Sequence, residues 1–448
     1  MLDVYRWYRV ISLVKNNLPK PLKRLFQELK YRVYVQLKQK LLLTKVNATH
    51  ARLQSNIAGS KSVRVVFLVL HKSIWKVDSV FQKMLNDQYF DPIILVCPHV
   101  QDDDEIARNS LRETYRFFKE KNYPVVSSYN EVTSAWVRLE ELEPSLIFFT
   151  NPHPLTMPEY YTNAYENYLT CYVPYYFMAT NHVDRVASEF SAFMLSSMWR
   201  TYWPHDLAFD QFTLYSLTNG VGGIVTGYPA CESLVCSSND SRGNVWKHQS
   251  RAKKKVIYAP HHTIEKDERS LSFFLSIADQ MLAIAKENSD SIQWAFKPHP
   301  LLKTKLYSHA KWGKIRTDCY FSFWEGQSYT QLEEGEYVDL FKQSDAIVHD
   351  CSSFIVEYAL MKKPGLYLIH PSKLDLLVNE FGKLVLKEYQ LAQNFEQIEG
   401  FLKDLINGEL EVEKHRDGLF HKYVQKYYES KLPTDRIIEN LKTSLKLV

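Results

Sequence analysis

A chain of 448 residues is too long for one ordinary core and comfortable for two, because single cores rarely keep growing past roughly 250–300 residues. Its 45% hydrophobic and 14% aromatic content, with only 14 glycines, excludes a disordered or fibrous protein. The net charge of +4 hides an asymmetry: residues 1–60 hold 12 Lys/Arg against Asp3 and Glu28, a net of +10, so the other 388 residues sum to −6.

Such a segregated basic end points to an anionic surface, membrane or nucleic acid, and not to a basic enzyme body. Six cysteines (Cys97, Cys171, Cys231, Cys236, Cys319, Cys351) form no CxxC pair. Neither a zinc site nor a disulfide framework is therefore indicated, and a reducing cytoplasm is expected. No apolar run of about 18 residues and no N-terminal h-region occurs, so neither a membrane span nor secretion is expected.

Residues 1–60 read as a basic amphipathic helical extension, broken at Leu18-Pro19-Lys20-Pro21. In Leu22–Val46 apolar residues recur at helical spacing among Lys and Arg, which fits a peripheral anchor on anionic lipid. A helix packed on the protein or in an oligomer interface fits the same pattern.

From 61 to 236 strands and helices alternate: a strand at Val63–Leu70, a helical stretch through Met84, and a strand at Pro92–Val96. A helix near Asp104–Glu120, a strand at Pro124–Val126, a helix near Ser134–Leu142 and strands at Leu146–Thr150 and Tyr172–Pro174 follow. An aromatic helical stretch, Ser188–Leu217, leads to Gly223–Thr226 and the turn Gly227-Tyr228-Pro229.

Residues 237–255 are polar and have the composition of a linker. A second series fills 256–394, with strands at Val256–Ala259, Ile292–Phe296, Ala346–Val348 and Leu366–Ile369. Its helices fall at Ser270–Glu287, Tyr337–Lys342 and Phe354–Met361, and a helical tail, 395–448, is able to cross back. Two doubly wound, Rossmann-like α/β domains joined in this way form a GT-B-like arrangement.

The residues that carry chemistry stand where open α/β sheets bind ligands, at the carboxyl ends of strands. Lys297-Pro298-His299-Pro300 follows Ile292–Phe296, and Asp350-Cys351-Ser352-Ser353 follows Ala346–Val348. Lys297, His299, Asp350, Ser352 and Ser353 are the candidates for a donor-phosphate site. Ser352 and Ser353 open a helix, where free N–H groups and the dipole favour an anion. His261 and His262, after Val256–Ala259, would share that rim with His299, and these three are the catalytic candidates. His71, His182 and His205 are candidates on the acceptor side. The acids Asp102–Glu105 precede a helix and suit its dipole better than a metal.

Three of these stretches carry a resemblance. Ala259-Pro260-His261-His262, Lys297-Pro298-His299-Pro300 and the run from Ser344-Asp345 to Asp350-Cys351-Ser352-Ser353 resemble the donor-domain motifs of the CDP-glycerol glycerophosphotransferase family. Gly227-Tyr228-Pro229 is similar to that family's turn before the linker.

The resemblance implies a metal-independent GT-B transferase without a resident cofactor, in which His299, Ser352 and Ser353 hold the phosphates of a CDP-alditol donor. It implies transfer of an alditol phosphate to a hydroxyl of a surface glycan or lipid-linked precursor in wall or capsule synthesis. The expected place is the cytoplasmic face of the cell membrane, held there by residues 1–60, with no nucleic acid as partner. Tyr172-Val173-Pro174-Tyr175-Tyr176-Phe177 departs from the family, whose wall-polymer polymerases carry a histidine in the matching stretch. A GT-B glycosyltransferase using a CMP-linked acid sugar, and a non-catalytic membrane-associated scaffold of the same fold, are the alternatives.

Overall fold

The computed structural model describes residues 20–101, 103–181, 190, 192–236, 243–265, 270–410 and 418–447, without the side chains of residues 20–36. His182, residues 1–19 and Asp102 lie outside the described residues.

Two parallel sheets organise the chain. The first contains β1 (Val63–Val69), β2 (Phe90–Val96), β3 (Val125–Ser127), β6 (Leu146–Phe149), β7 (Leu169–Tyr172), β8 (Arg200–Trp203) and β9 (Gly223–Val225), in the order β3-β2-β1-β6-β7-β8-β9. A small hairpin, β4 (Tyr129–Asn130) with β5 (Ala135–Trp136), stands outside it. The second sheet contains β10 (Lys254–Ala259), β11 (Ile292–Phe296), β12 (Thr330–Leu332), β13 (Ala346–His349), β14 (Gly365–Leu368) and β15 (Gln390–Ala392), in the order β12-β11-β10-β13-β14-β15. In each sheet the order reverses at a central pair, β1/β6 and β10/β13, and such switch points are where doubly wound sheets open a ligand crevice. Near-continuous apolar runs form these strands because both faces of a parallel sheet are covered.

The helices used below are α1 (Lys20–Ile57), α2 (Asp78–Leu85), α3 (Asp206–Tyr215), α4 (Pro300–Ser308), α5 (Gly313–Gly326), α6 (Val338–Gln343), α7 (Phe354–Ala359), α8 (Glu380–Leu386), α9 (Phe395–Asn407) and α10 (Pro433–Leu445). Of the tail, α9 completes the second domain, burying Ile398, Phe401, Leu402 and Leu405 beside Trp294 and Phe296. In contrast, α10 crosses back and buries Ile437, Ile438, Leu441 and Leu445 in the core of the first domain.

Part of α1 is likewise packed on that domain. Leu43, Val46 and Ile57 are buried, His50 Nε2 lies 3.1 Å from the Tyr168 carbonyl oxygen, and the Gln54 amide donates to the Ser444 carbonyl at 2.7 Å. Leu37 and Leu41, one turn apart, are 57% and 74% exposed.

The domains share a core. Phe177, Ala179, Tyr228 and Cys231 of the first pack with Tyr358, Val378 and Phe381 of the second. At the seam Thr180 bridges Val378, and Asn379 Nδ2 donates to the Met178 carbonyl at 2.6 Å. A Cβ on Gly382 of α8 would lie 2.0 Å from the Ala179 carbonyl oxygen, so only glycine permits this approach.

Several elements differ from the sequence expectation. The helix near Ser134–Leu142 is instead the β4/β5 hairpin followed by a 3-10 turn, Leu139–Leu142. Asn130 Oδ1 takes the N–H groups of Val132 and Thr133, a local bond that competes with helix formation. The expected helix at Ser188–Leu217 is interrupted by β8, whose Thr201, Tyr202 and Trp203 are buried, and helix resumes as α3 behind a His205 cap. The strand expected at Tyr172–Pro174 lies at Leu169–Tyr172, before a proline that has no N–H for the ladder. The strands β12 and β15 and the helices α4 and α5 were not expected.

Candidate active site

The loops after β10, β11 and β13 meet over the second switch point, and backbone bonds stitch them together. The His299 N–H donates to the Pro260 carbonyl at 3.0 Å, joining the first two. Asp350 joins the third: its carboxylate accepts the His261 N–H at 2.5 Å and the Phe273 N–H at 2.6 Å. Asp350 is 1% exposed, and burial pushes its carboxyl up to about 7 although these N–H donors favour the anion. The sequence placed Asp350 among the phosphate ligands. In the fold both its oxygens are spent on backbone N–H groups, so it positions the histidine loop instead, and an anion would repel phosphate.

Stitched in this way, His261, His262 and His299 form one cluster. The ring centroids of His262 stand 4.4 Å from His261 and 4.1 Å from His299, and His261 to His299 is 5.2 Å. Burial is the largest cause that lowers all three below the usual imidazole value, to about 2 for His261 and about 4 for His299, and Lys305 of α4 adds to it. All three rings are thus neutral near pH 7. A groove lined by Ile264, Glu265, Thr304, Lys305, Ser308 and His309 opens beside them.

On the other side of Asp350, Ser352 and Ser353 lead into α7. Ser353 is exposed and its Oγ lies 3.1 Å from Cys351 Sγ, while Ser352 is half-buried. Neither serine side chain caps α7. Lys297 is 7% exposed, and its Nζ donates to the Gly335 carbonyl at 2.7 Å. Desolvation lowers its pKa, with Glu333 the largest opposing influence.

Four residues that the sequence pattern did not single out complete the site: Lys305, Lys76, Tyr337 and Glu357. Lys76, in the loop after β1, reaches across the seam, its Nζ 3.4 Å from Tyr337 Oη. Lys76 and Lys297 flank the Tyr337 ring at 5.5 and 5.9 Å from its centroid. Glu357 is buried within the otherwise apolar α7, its Oε2 without a hydrogen-bond partner. Burial raises its pKa and Lys76 is the largest opposing cause. An acid in an apolar helix was the available signal.

The acceptor-side candidates fall in different places. His71 caps the 3-10 turn after β1, its Nδ1 accepting the Ser73 N–H at 3.1 Å, and it stands on the rim of the first switch point. His205 is 1% exposed and stacked on Phe381 at 3.5 Å between centroids. Its Nδ1 accepts the Ala208 N–H at 3.1 Å and its Nε2 donates to the Phe177 carbonyl at 2.8 Å. With both nitrogens committed, His205 has no lone pair for an acceptor hydroxyl; it caps α3 and braces the seam.

Comparison with known proteins agrees with this architecture. No curated protein matches the chain. The wall teichoic acid polymerase TagF is similar in structure, with a TM-score of 0.58 at 15% identity over 92% of this chain and 98% of that one. The UDP-GlcNAc 2-epimerase of Neisseria meningitidis, bound to UDP-GlcNAc, gives 0.54 at 14% identity over 85% and 100%. Both likenesses speak for the GT-B fold. Residues 222–375, which hold the histidine cluster, Lys297 and the Ser352–Ser353 turn, match the family described as CDP-Glycerol:Poly(glycerophosphate) glycerophosphotransferase. The chain has a GT-B-type fold, and its residues 222–375 carry the likeness to the CDP-glycerol glycerophosphotransferases.

Proposed function

We propose that the protein transfers glycerol phosphate, or a related alditol phosphate, from CDP-glycerol or its analogue to a hydroxyl of a surface glycan or lipid-linked precursor in wall or capsule polymer synthesis. The observation that carries this reading is the convergence of three strand-end loops, which brings His261, His262, His299 and Lys297 to one rim with the Ser352–Ser353 turn. A structure of TagF soaked with CDPG is among the similar ones, which supports a CDP-linked donor. In the reaction the acceptor oxygen bonds to the alditol-bearing phosphorus, the bond from that phosphorus to the CMP oxygen breaks, and the hydroxyl proton leaves to a base. His299 and Lys297 act on the charge that grows on the departing CMP, and the Ser352 and Ser353 hydroxyls orient the diphosphate.

The test is CMP release and product formation across CDP-glycerol, CDP-ribitol, a CMP-linked acid sugar and UDP-glucose, all in EDTA. Turnover is expected with a CDP-alditol. Turnover only with the CMP-linked sugar, or a strict requirement for Mg²⁺, would overturn the reading.

The same proposal places the enzyme on the cytoplasmic leaflet, through residues 1–36, where 8 of the 12 basic residues of the extension lie. Each Lys or Arg near an anionic surface contributes about 1 kcal/mol. Deleting residues 1–36, which stops short of the packed Leu43 and Val46, is expected to abolish co-sedimentation with anionic liposomes and to preserve CMP release. High salt should release the intact protein, because screening weakens surface attraction. Full-length protein that ignores anionic liposomes at low salt would refute this placement.

A further inference from the structure

The three histidines pose a question that the transfer reaction does not answer. One nitrogen from each ring lies within 4.8 Å of the others, a spacing that invites a tri-histidine metal centre. The hydrogen bonds argue otherwise. A ligating imidazole donates its second N–H to an acceptor. Here the second nitrogens of two rings themselves accept: Nδ1 of His299 takes the Leu301 N–H at 3.2 Å, and Nδ1 of His261 takes the Thr263 N–H at 3.4 Å beside Thr263 Oγ1 at 2.9 Å. His299 is thereby held as the neutral Nε2–H tautomer, and the Thr263 N–H favours the same tautomer for His261. They offer donors, which suit a phosphate oxygen, and no lone pair, which a metal needs.

The same bonds disfavour a charge on these two rings. A proton on Nδ1 of His299 would meet the Leu301 N–H head-on, and one on Nδ1 of His261 would cost it the Thr263 N–H. His262 differs: its Nδ1 is buried without a partner, and the ring stands between the other two. We infer that His262 is the proton acceptor of the site: a donor's diphosphate, settling among the three rings, draws one proton from solvent onto the uncommitted nitrogen of His262. The ring then holds the diphosphate as an imidazolium, flanked by two neutral N–H donors.

This inference rests on the proposed reading of the site as a diphosphate receptor and gives it a mechanism of charge supply. The groups facing His262 allow the switch. Lys305 on α4 opposes the proton, but it is ion-paired to Glu265. Glu265 and the ring's own backbone carbonyl favour it. The Asp350 carboxylate lies behind His261, turned to that residue's N–H. Without ligand, burial keeps His262 neutral. Two incoming phosphate charges reverse that balance, and the neutral cluster meanwhile avoids repulsion among three adjacent cations.

Isothermal titration in two buffers of unlike ionisation enthalpy, at about pH 7.5, reads the proton directly. CDP-glycerol and UDP-glucose are suitable probes because a diphosphate diester has no titrating proton of its own in this range. Wild type should take up about one proton per donor bound, and His262→Gln none. The wild-type Kd should rise by up to about tenfold per pH unit on the alkaline side, where the variant's stays flat. Nitrogen-15 spectra of histidine-labelled wild type should show one ring becoming imidazolium on donor addition, a readout independent of the variant's folding. Binding without uptake, or equal uptake in His262→Gln, overturns the inference. If UDP-glucose binds with uptake while CDP-glycerol is silent, the inference stands and the proposed donor falls. Failure of both to bind overturns the two together.

Discussion

Replacing His299 by alanine should lower kcat/KM for CMP release by about 100- to 1,000-fold, the usual cost of removing one pre-aimed donor from a charged transition state. His299 is held at a strand end by its own N–H to Pro260 and by the Leu301 N–H on its Nδ1, so its Nε2–H is aimed before substrate arrives. The ring is only half-buried, and alanine leaves the Pro260 bond intact, so the fold should survive. Circular dichroism and the urea midpoint of the variant check that survival. Near-normal turnover in a folded His299→Ala enzyme would remove this residue from the site.

Asp350→Ala is expected to act on structure first. The buried His261 N–H and the part-buried Phe273 N–H lose their partner, at about 1–3 kcal/mol for a buried donor and less for a part-buried one, so a loss of roughly 1–5 kcal/mol is expected in urea unfolding. Activity should fall with it, since His261 and His262 are placed by that bond.

Asp350→Asn separates charge from shape. The folded carboxyl sits near 7, well above the ordinary aspartate value of 3.8, so the folded state holds a proton that the unfolded chain releases between them. The contribution of this group is full below the unfolded value and is lost as pH rises through about 7. Wild type should therefore lose stability relative to Asp350→Asn between about pH 4 and 7, and the difference should level off above that. A difference that grows in favour of wild type with rising pH would show that the carboxylate is stabilised by its N–H donors more than it is penalised by burial.

What the sequence made legible, and what it hid, follow from distance along the chain. The convergence of the candidate rim was readable because each loop is contiguous with the apolar strand that presents it: His261 and His262 after β10, Lys297 and His299 after β11, Ser352 and Ser353 after β13. Asp350 stands at the same strand end, but its carboxylate is taken up by backbone N–H groups and not by a ligand. Its partners lie 89 and 77 residues away, and no local pattern reports them. Lys76 was missed for the same reason, since its partner Tyr337 is 261 residues distant and in the other domain. The error at Ser188–Leu217 is of another kind. Dense aromatics erase the contrast between faces on which a period is read, so the short buried β8 passed as helix.

The crossing of α10 also orders events during synthesis. Ile437, Ile438, Leu441 and Leu445 fill the core that β1 and β2 begin some 370 residues earlier, so of the two domains the one made first is completed only after α10 has been made. Its apolar gap must wait, open, while the second domain is being made. A nonsense mutation near residue 430 would therefore damage the domain that β1 and β2 open more than the second domain just before the stop. The nascent first domain is accordingly the stage at which a chaperone would be needed.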